Sequence, residues 1–338
     1  MAIKSLAVKY RPNTFSDVVE QGATVAILNQ QLSSKQVKNA YLFCGGAGTG
    51  KTTCARIFAN EINQHQGNPI EMDAASNNSV DDVREIIQQA KTKSLDSEYK
   101  VFIIDECHSL SNTAWQAMLK LIEEPPAKSI FIFCTTDPQK IPKTILSRVQ
   151  RYEFQRISFE GIVNRMQGIL GFEGIPYKPE AISYIAKLAD GGMRDALTML
   201  DKCIAYGELT EDNVVKALGV ANYDTMFKLN DLLFSKDKLG IITTIENIHK
   251  QGLDLKQFVK QYLNFTLDIC KYWCCPKFDF ISIPTTYEQE LRSYGDYEFN
   301  TTMQLLDTLI KLNAEIKWDS APKAMIQATL LLECVNNE

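Results

Sequence analysis

The chain is 338 residues long, 45% hydrophobic and 23% charged, with 41 acidic side chains against 36 basic ones and a formal net charge of −5. That length accommodates two or three domains with their own cores, and the acidic balance excludes an overall basic nucleic-acid coat while leaving room for a local basic lining. No apolar run approaches a membrane span and no signal-peptide core opens the chain. The nine cysteines lie mostly inside apolar runs, so a cytoplasmic protein with reduced thiols and no membrane contact is expected.

Residues 1–39 precede the first core strand. Lys9-Tyr10-Arg11-Pro12 and then Phe15-Ser16-Asp17-Val18-Val19 predict an extended arm that turns into a short helix, followed by a helix over 23–32. The apolar run Ala40-Tyr41-Leu42-Phe43-Cys44 reads as a buried strand, and 53–60 has helical apolar spacing. Between them Gly45-Gly46-Ala47-Gly48-Thr49-Gly50-Lys51-Thr52 fits G-x-x-x-x-G-K-[ST] at every fixed position. Strand, glycine loop and helix is the context in which this motif holds phosphates. The glycines let N–H groups converge on phosphate oxygens, and the helix N-terminus adds partial positive charge.

A nucleoside triphosphate is therefore the expected ligand, held by Gly46, Ala47, Gly48, Thr49, Gly50, Lys51, Thr52 and Thr53. Lys51 reaches the β- and γ-phosphates and the Thr52 hydroxyl ligates Mg²⁺. The arm is then placed to lie across the base, with Tyr10, Pro12, Val18 and Val19 as flat apolar contacts and Arg11 as a charge.

Ile70-Glu71-Met72-Asp73 reads as a second strand, and Ala74-Ala75-Ser76-Asn77-Asn78-Ser79 as a polar loop. Ser79 caps a helix predicted over 80–93 that carries Arg84. Lys100-Val101-Phe102-Ile103-Ile104-Asp105-Glu106 is a fully apolar run ending in two carboxylates, the pattern of a central parallel strand that opens onto a site. Asp105 is placed to hold Mg²⁺ through water and Glu106 to polarise the attacking water.

A core helix over 112–123, stopped by Pro125-Pro126, leads to the strand Ile130-Phe131-Ile132-Phe133-Cys134 and to Thr135-Thr136. Either hydroxyl there can sense the γ-phosphate or hold the water. The stretch from Lys140 through Lys143, Arg148 and Arg151 to Arg156 is locally basic.

Beyond about residue 158 the alternation of strand and helix ceases. Helical spacing appears over 159–170, 180–190, 193–206 and 211–218, then over 227–234, 239–250, 255–273, 287–296, 301–314 and 323–335. Gly191-Gly192-Met193-Arg194 sets a cation at a helix start against the dipole, which a phosphate partner would explain. Cys270, Cys274 and Cys275 sit in an apolar stretch and are expected to be buried thiols.

Taken together, the glycine loop, Ala74-Ala75-Ser76-Asn77-Asn78, Asp105-Glu106-Cys107-His108, Leu121-Ile122-Glu123-Glu124-Pro125-Pro126, Thr135-Thr136-Asp137-Pro138-Gln139-Lys140, Ser147-Arg148 and Gly192-Met193-Arg194-Asp195 stand in a telling order. It resembles that of bacterial replication clamp loaders, the gamma/tau ATPase subunits of DNA polymerase III. The similarity is strongest over 8–205. The ending Ile316-Lys317-Trp318-Asp319-Ser320-Ala321-Pro322 is similar to that family's collar.

The resemblance implies an α/β AAA+ P-loop ATPase domain on a five-stranded parallel sheet over 1–157, an all-α lid over 158–220 and an all-α oligomerising collar over 221–338. It implies a five-membered spiral with other clamp-loader subunits that opens a sliding clamp with ATP and grips primer–template DNA through its phosphates. Thr136 (or Thr135) would be the first sensor, Arg194 the second from the lid, Arg148 a finger into the neighbouring subunit's site, and Arg84 a DNA contact. Asn112 stands where the family often carries a second basic contact, which puts that one in doubt.

Three departures shape the expectations. Residues 61–69 are too short for the family's four-cysteine lobe and contain no cysteine, so no zinc is expected. The family's Ser-Arg-Cys is Ser147-Arg148-Val149 here. The chain ends at the collar, a pared-down form that suits a phage or plasmid genome. Two competing readings are a spiral member that binds nucleotide without hydrolysing it, and another AAA+ DNA machine such as a branch-migration helicase. The intact Lys51, Asp105, Glu106, Arg148 and Arg194 weigh against the first, and the helical collar against the second.

Overall fold

The computed structural model describes residues 4–94, 96–219, 221–284 and 287–336. The chain divides into two compact units, Met1–Thr210 and Glu211–Glu338.

The first unit opens with α1 (Leu6–Lys9), α2 (Gly22–Ser34), β1 (Ala40–Gly45), α3 (Lys51–Ile62) and β2 (Ile70–Asp73). It continues through α4 (Val80–Ala90), β3 (Lys100–Asp105), α5 (Asn112–Glu123), β4 (Ser129–Thr135), α6 (Lys143–Leu146) and β5 (Gln150–Phe154). Among the described residues five strands form one parallel sheet in the order β2-β3-β4-β1-β5.

Both faces of the sheet are covered, which is why β3 and β4 read as unbroken apolar runs. Leu42, Phe102, Ile104, Phe131 and Phe133 face Val83 and Ile86 of α4 and Trp115, Met118 and Ile122 of α5. Tyr41, Phe43, Ile103 and Ile132 face Leu28 of α2 and Cys54, Ile57 and Phe58 of α3. The register fixes the site: Cys44 lies opposite Thr135 on one side and Glu153 on the other, and Asp73 opposite Asp105. The C-terminal ends of β1, β3 and β4 thus converge on one edge.

Three helices complete this unit: α7 (Phe159–Glu173), α8 (Pro179–Leu188) and α9 (Met193–Tyr206). Ser158 caps α7 by accepting from Gly161 N–H, and Gly174 ends it in the left-handed region. Lys178 N–H donates to Leu209 O (2.9 Å), and a bridge joins Tyr177 to Leu209.

The second unit holds α10 (Glu211–Leu218), α11 (Tyr223–Phe234), α12 (Lys238–Lys250), α13 (Leu255–Cys274), α14 (Glu288–Ser293), α15 (Asp296–Glu315) and α16 (Pro322–Asn336). Its core is aromatic: Phe227 meets Phe265 edge-on at 4.8 Å, and buried Tyr262 donates to Asn230 Oδ1 (2.5 Å).

Local differences from the expected elements have physical causes. Ahead of the arm, Leu6–Lys9 form a helical turn, because Leu6 is buried and its N–H donates to Asp201 Oδ2 of α9 (2.9 Å); residues 10–14 are non-helical and lead into the short helix Phe15–Asp17, as expected. Helix α4 stops at Ala90 instead of 93, where Lys100 Nζ reaches Gln89 O (2.8 Å) and Thr92 Oγ1 (2.9 Å). Helix 211–218, grouped with the lid in the sequence, falls in the second compact unit. The Lys178–Leu209 bond closes the first unit just before it. The expected boundary at Val220 lies outside the described residues. Cys270 is buried as expected, but Cys274 is exposed and Cys275 half-buried at the end of α13.

Candidate functional site

The loop between β1 and α3 carries two positive-φ glycines, Gly48 (φ 69°) and Gly50 (φ 102°). Gly48 is also pinned from outside. A Cβ there would lie 3.1 Å from Gly192 Cα, and its carbonyl accepts from Met193 N–H (3.1 Å), so the first turn of α9 docks on the loop. Thr49 Oγ1 braces the loop by donating to Gly46 O (2.9 Å). Lys51 is 5% exposed and donates through Nζ to Gly45 O (2.9 Å) and Gly46 O (2.7 Å). Burial holds its pKa below the ordinary lysine value, with Glu106 opposing that shift.

Thr52 Oγ1 donates to Asp105 Oδ2 (2.8 Å), and Asp105 Oδ1 accepts from Glu106 N–H (3.0 Å). Glu106 occupies the left-handed region (φ 45°, ψ 42°), uncommon for a residue with a Cβ. Its Oε2 accepts from Thr136 Oγ1 (2.9 Å) and lies 3.3 Å from His108 Nδ1. Thr135 is fully buried, bonded to His108 Nδ1 (3.0 Å) and accepting from Asp137 N–H (3.0 Å). Of the two threonines, Thr136 touches the acid and Thr135 braces the strand end.

A cavity of about 410 Å³ opens over these groups. It is lined by Tyr10, Arg11, Pro12, Val18 and Val19 of the arm, by the loop and helix residues 47–53, by Asp105 and Glu106, and by Met193, Arg194, Asp195 and Leu197 of α9. Gly46 and Thr136 stand just outside this lining. The Gly46 carbonyl is occupied by Lys51 and Thr49, and the Thr136 hydroxyl by Glu106.

The structure adds lining residues that the sequence did not single out, chiefly Arg56 and Arg165. Arg56 is four residues after Thr52, on the same face of α3, a signal that was available. Arg165 comes from α7 and donates to Tyr10 O (3.1 Å); only the tertiary fold brings it there.

Among the described residues five cations (Arg11, Lys51, Arg56, Arg165 and Arg194) line the cavity against three carboxylates. The Arg11 pKa is lowered, first by burial and then by Arg56 and Arg194, while Glu71 opposes. Arg56 pairs with Glu71 (2.5 Å), but its buried Nε has no partner among the described residues. Clustered guanidiniums lining a cavity of this size fit a polyanion such as a nucleoside triphosphate. Thr52 and Asp105 offer one hydroxyl and one carboxylate, which suits Mg²⁺, an ion that keeps waters and phosphate oxygens as most of its ligands.

Two expected residues lie elsewhere. Arg148 is half-exposed between α6 and β5, bonded to Thr144 O (2.7 Å) and Ser147 Oγ (3.0 Å) and ion-paired with Glu123 Oε1 (2.8 Å). Because Gln150 pairs with Tyr41 and Phe154 with Gly45, Arg148 precedes the far end of β5, at least ~13 Å along the strands from the loop. Arg84 projects from α4, exposed and paired with Asp81 (2.6 Å). Residues 61–69 are the end of α3 and a turn with positive φ at Gln64, His65 and Gly67.

Comparison with known proteins follows the same division. Residues 68–158 match the family model of the DNA polymerase III delta subunit. Residues 161–209 match the ATPase lid domain of the DNA polymerase III clamp loader subunit, and residues 209–334 match domain III of the gamma and tau subunits. The chain is 33% identical to DNA polymerase III subunit tau of Bacillus subtilis over 99% of its own length and 64% of that protein. It is 31% identical to the Salmonella typhimurium tau subunit over 98% of its length and 55% of that protein. It is 30% identical to the gamma subunit of Buchnera aphidicola subsp. Schizaphis graminum, over 98% of both chains. The chain thus spans somewhat more than half the length of the two tau subunits.

Among solved structures, the Thermotoga maritima RuvB Holliday junction branch migration motor matches with a TM-score of 0.53 and 18% identity, over 66% of this chain and 79% of that one. At that identity the likeness is one of fold, the AAA+ α/β domain with its helical lid. The fold, the phosphate loop and the full-length match to a gamma subunit agree, and the chain belongs to the gamma/tau family of DNA polymerase III clamp-loader subunits.

Proposed function

We propose that the chain is the ATP-hydrolysing motor subunit of a sliding-clamp loader, acting in the cytoplasm with other loader subunits, a ring-shaped clamp and primer–template DNA. The observation that carries this reading is one cavity holding a phosphate loop, an Asp–Thr pair, a sensed glutamate and a lid arginine.

Lys51 exchanges the carbonyls of Gly45 and Gly46 for β- and γ-phosphate oxygens, and the N–H groups of residues 47–53 cradle the chain of phosphates. Thr52 and Asp105 hold Mg²⁺, which supplies charge neutralisation at the phosphates. Glu106 polarises the attacking water, and Thr136 orients Glu106 and senses the γ-phosphate. Arg194 reaches the same phosphate from the lid, so that nucleotide state sets lid position. Tyr10, Arg11, Pro12, Val18 and Val19 enclose the base.

Arg148 serves the neighbouring subunit's site, as its distance from its own loop suggests. Arg84 grips DNA phosphates. We divide the chain into an ATPase domain to about 157, the lid, and a helical collar through which a pentameric spiral assembles. Steady-state ATP hydrolysis with primed DNA and a clamp, each alone and together, tests the whole reading. A loader is stimulated most by both, a non-hydrolysing member stays silent, and a branch-migration motor ignores the clamp.

A further inference from the structure

We propose that Glu123 is the positioning residue that aims Arg148. The proposal rests on Arg148 acting in a neighbouring subunit's site. A guanidinium carries five N–H donors in a rigid fork. Here Nη1 is taken by Thr144 O (2.7 Å) and Ser147 Oγ (3.0 Å), and Nη2 is ion-paired with Glu123 Oε1 at 2.8 Å. The two bonds occupy Nη1 and leave the Nε and Nη2 edge of the fork, adjacent donors of the kind that meet a phosphate bidentately.

The origin of the three partners matters. Thr144 and Ser147 belong to the same short segment as Arg148, and α6 is a single turn. They orient the side chain relative to that turn alone. Glu123 is the ion-pair partner from another element, the last residue of α5, whose Leu121 and Ile122 are buried in the sheet core. The same core holds Ile145 of α6, so α5 and α6 share one rigid base. Glu123 therefore references the fork to the body of the ATPase domain.

The pair is about two-fifths exposed on both sides, so it adds little to stability. Its consequence is aim. A long, flexible side chain that must enter a site on another chain gains from being held before it arrives.

The test uses the loader complex reconstituted from this chain and its host's partner subunits, with clamp and primed DNA. Glu123→Ala should lower kcat on the order of tenfold while leaving KM for ATP, melting temperature and assembly by gel filtration unchanged. Glu123→Gln, which keeps a polar oxygen within reach of Nη2, should retain most of kcat. Glu123→Ala combined with Arg148→Ala should be no slower than Arg148→Ala. If Arg148→Ala abolishes stimulated turnover while Glu123→Ala matches or exceeds the parent, Glu123 does not aim the arginine. Equal losses in the alanine and glutamine variants would make the carboxylate's charge the cause, and failed assembly would make it an interface residue; either overturns the proposal. Full kcat in Arg148→Ala would instead remove the underlying reading of Arg148.

Discussion

Thr136 Oγ1 donates to Glu106 Oε2 at 2.9 Å, and this bond sets where the carboxylate that we propose polarises the attacking water points. Glu106 itself sits at φ 45°, a conformation that costs on the order of 1–3 kcal/mol and persists only where the surroundings hold it. Thr136→Val preserves the side-chain shape and removes the bond. It should cut kcat at least severalfold with little change in ATP affinity. Thr135→Val deprives the part-buried Asp137 N–H of its acceptor and should instead destabilise the fold, by about 1 kcal/mol. ATP turnover and denaturant melts on both variants separate the two roles. A kcat defect confined to Thr135→Val would reverse the assignment.

Lys51 and Glu106 should fail in different ways. Lys51 is a buried cation satisfied by two loop carbonyls. Lys51→Met should not lower the melting temperature of nucleotide-free protein, because it removes a desolvated charge. It should abolish the rise that ATP gives, worth about 2.7 kcal/mol at a hundred times Kd. Glu106→Gln should keep that rise and turn over far more slowly. Thermal shifts with ATP on the two variants decide this, and equal loss of binding in both would refute the roles.

What the sequence discloses follows from how local each feature is. The phosphate loop is legible because its glycines, lysine and threonine are adjacent in the chain, and the apolar runs of β1, β3 and β4 announce a sheet covered on both faces. The roles of Thr135 and Thr136 are not separable from the string, since β4 is buried along its whole length through Thr135 and only the fold brings the Thr136 hydroxyl just past its end to Glu106. Arg165 bonding Tyr10 O, and Glu173 bonding Lys9 and Tyr10, join residues more than 150 positions apart, and no pattern signals such pairs. The helical turn α1 has no local signal for a related reason: the Leu6 N–H that ties it to α9 donates to Asp201, 195 positions away.

Docking of the lid on the loop depends on Gly48. A Cβ there would be strained at φ 69° and would press on the backbone of Gly192 at 3.1 Å. Gly48→Ala should push α9 away, lengthen the Met193–Gly48 bond and withdraw Arg194 from the cavity. Turnover should fall at least tenfold, and adding Arg194→Ala should cost little more, because the two changes act through one element. Additive losses measured in that cycle would show that Arg194 works independently of the docked lid.

DNA binding through Arg84 should be electrostatic and indifferent to sequence. The guanidinium is exposed and shares its charge with Asp81 at 2.6 Å. Arg84→Ala should weaken binding equally on unrelated duplexes and reduce the salt slope by about 1. Asp81→Asn should do the opposite and tighten binding, since it frees the cation. Fluorescence anisotropy of the assembled complex across a salt series reads both, and a loss confined to one sequence would argue against the placement.

The last prediction concerns where Arg148 acts. It stands at the far end of β5, outside the lining of its own nucleotide cavity. A guanidinium supplied by a neighbour neutralises charge building on the γ-phosphoryl group, an effect worth roughly 10³- to 10⁵-fold in well-studied NTPases. Hydrolysis would then require the assembled spiral, which ties turnover to clamp and DNA. Arg148→Ala should leave ATP binding by the isolated chain nearly intact while removing stimulated hydrolysis. Lys51→Ala should fail for the reciprocal reason, with an intact arginine and an empty loop. Assembled together, the two variants pair a Lys51-bearing site with an Arg148-bearing neighbour at some interfaces, and hydrolysis should return there. If both variants assemble and no mixing ratio restores turnover, the arginine does not act across the interface.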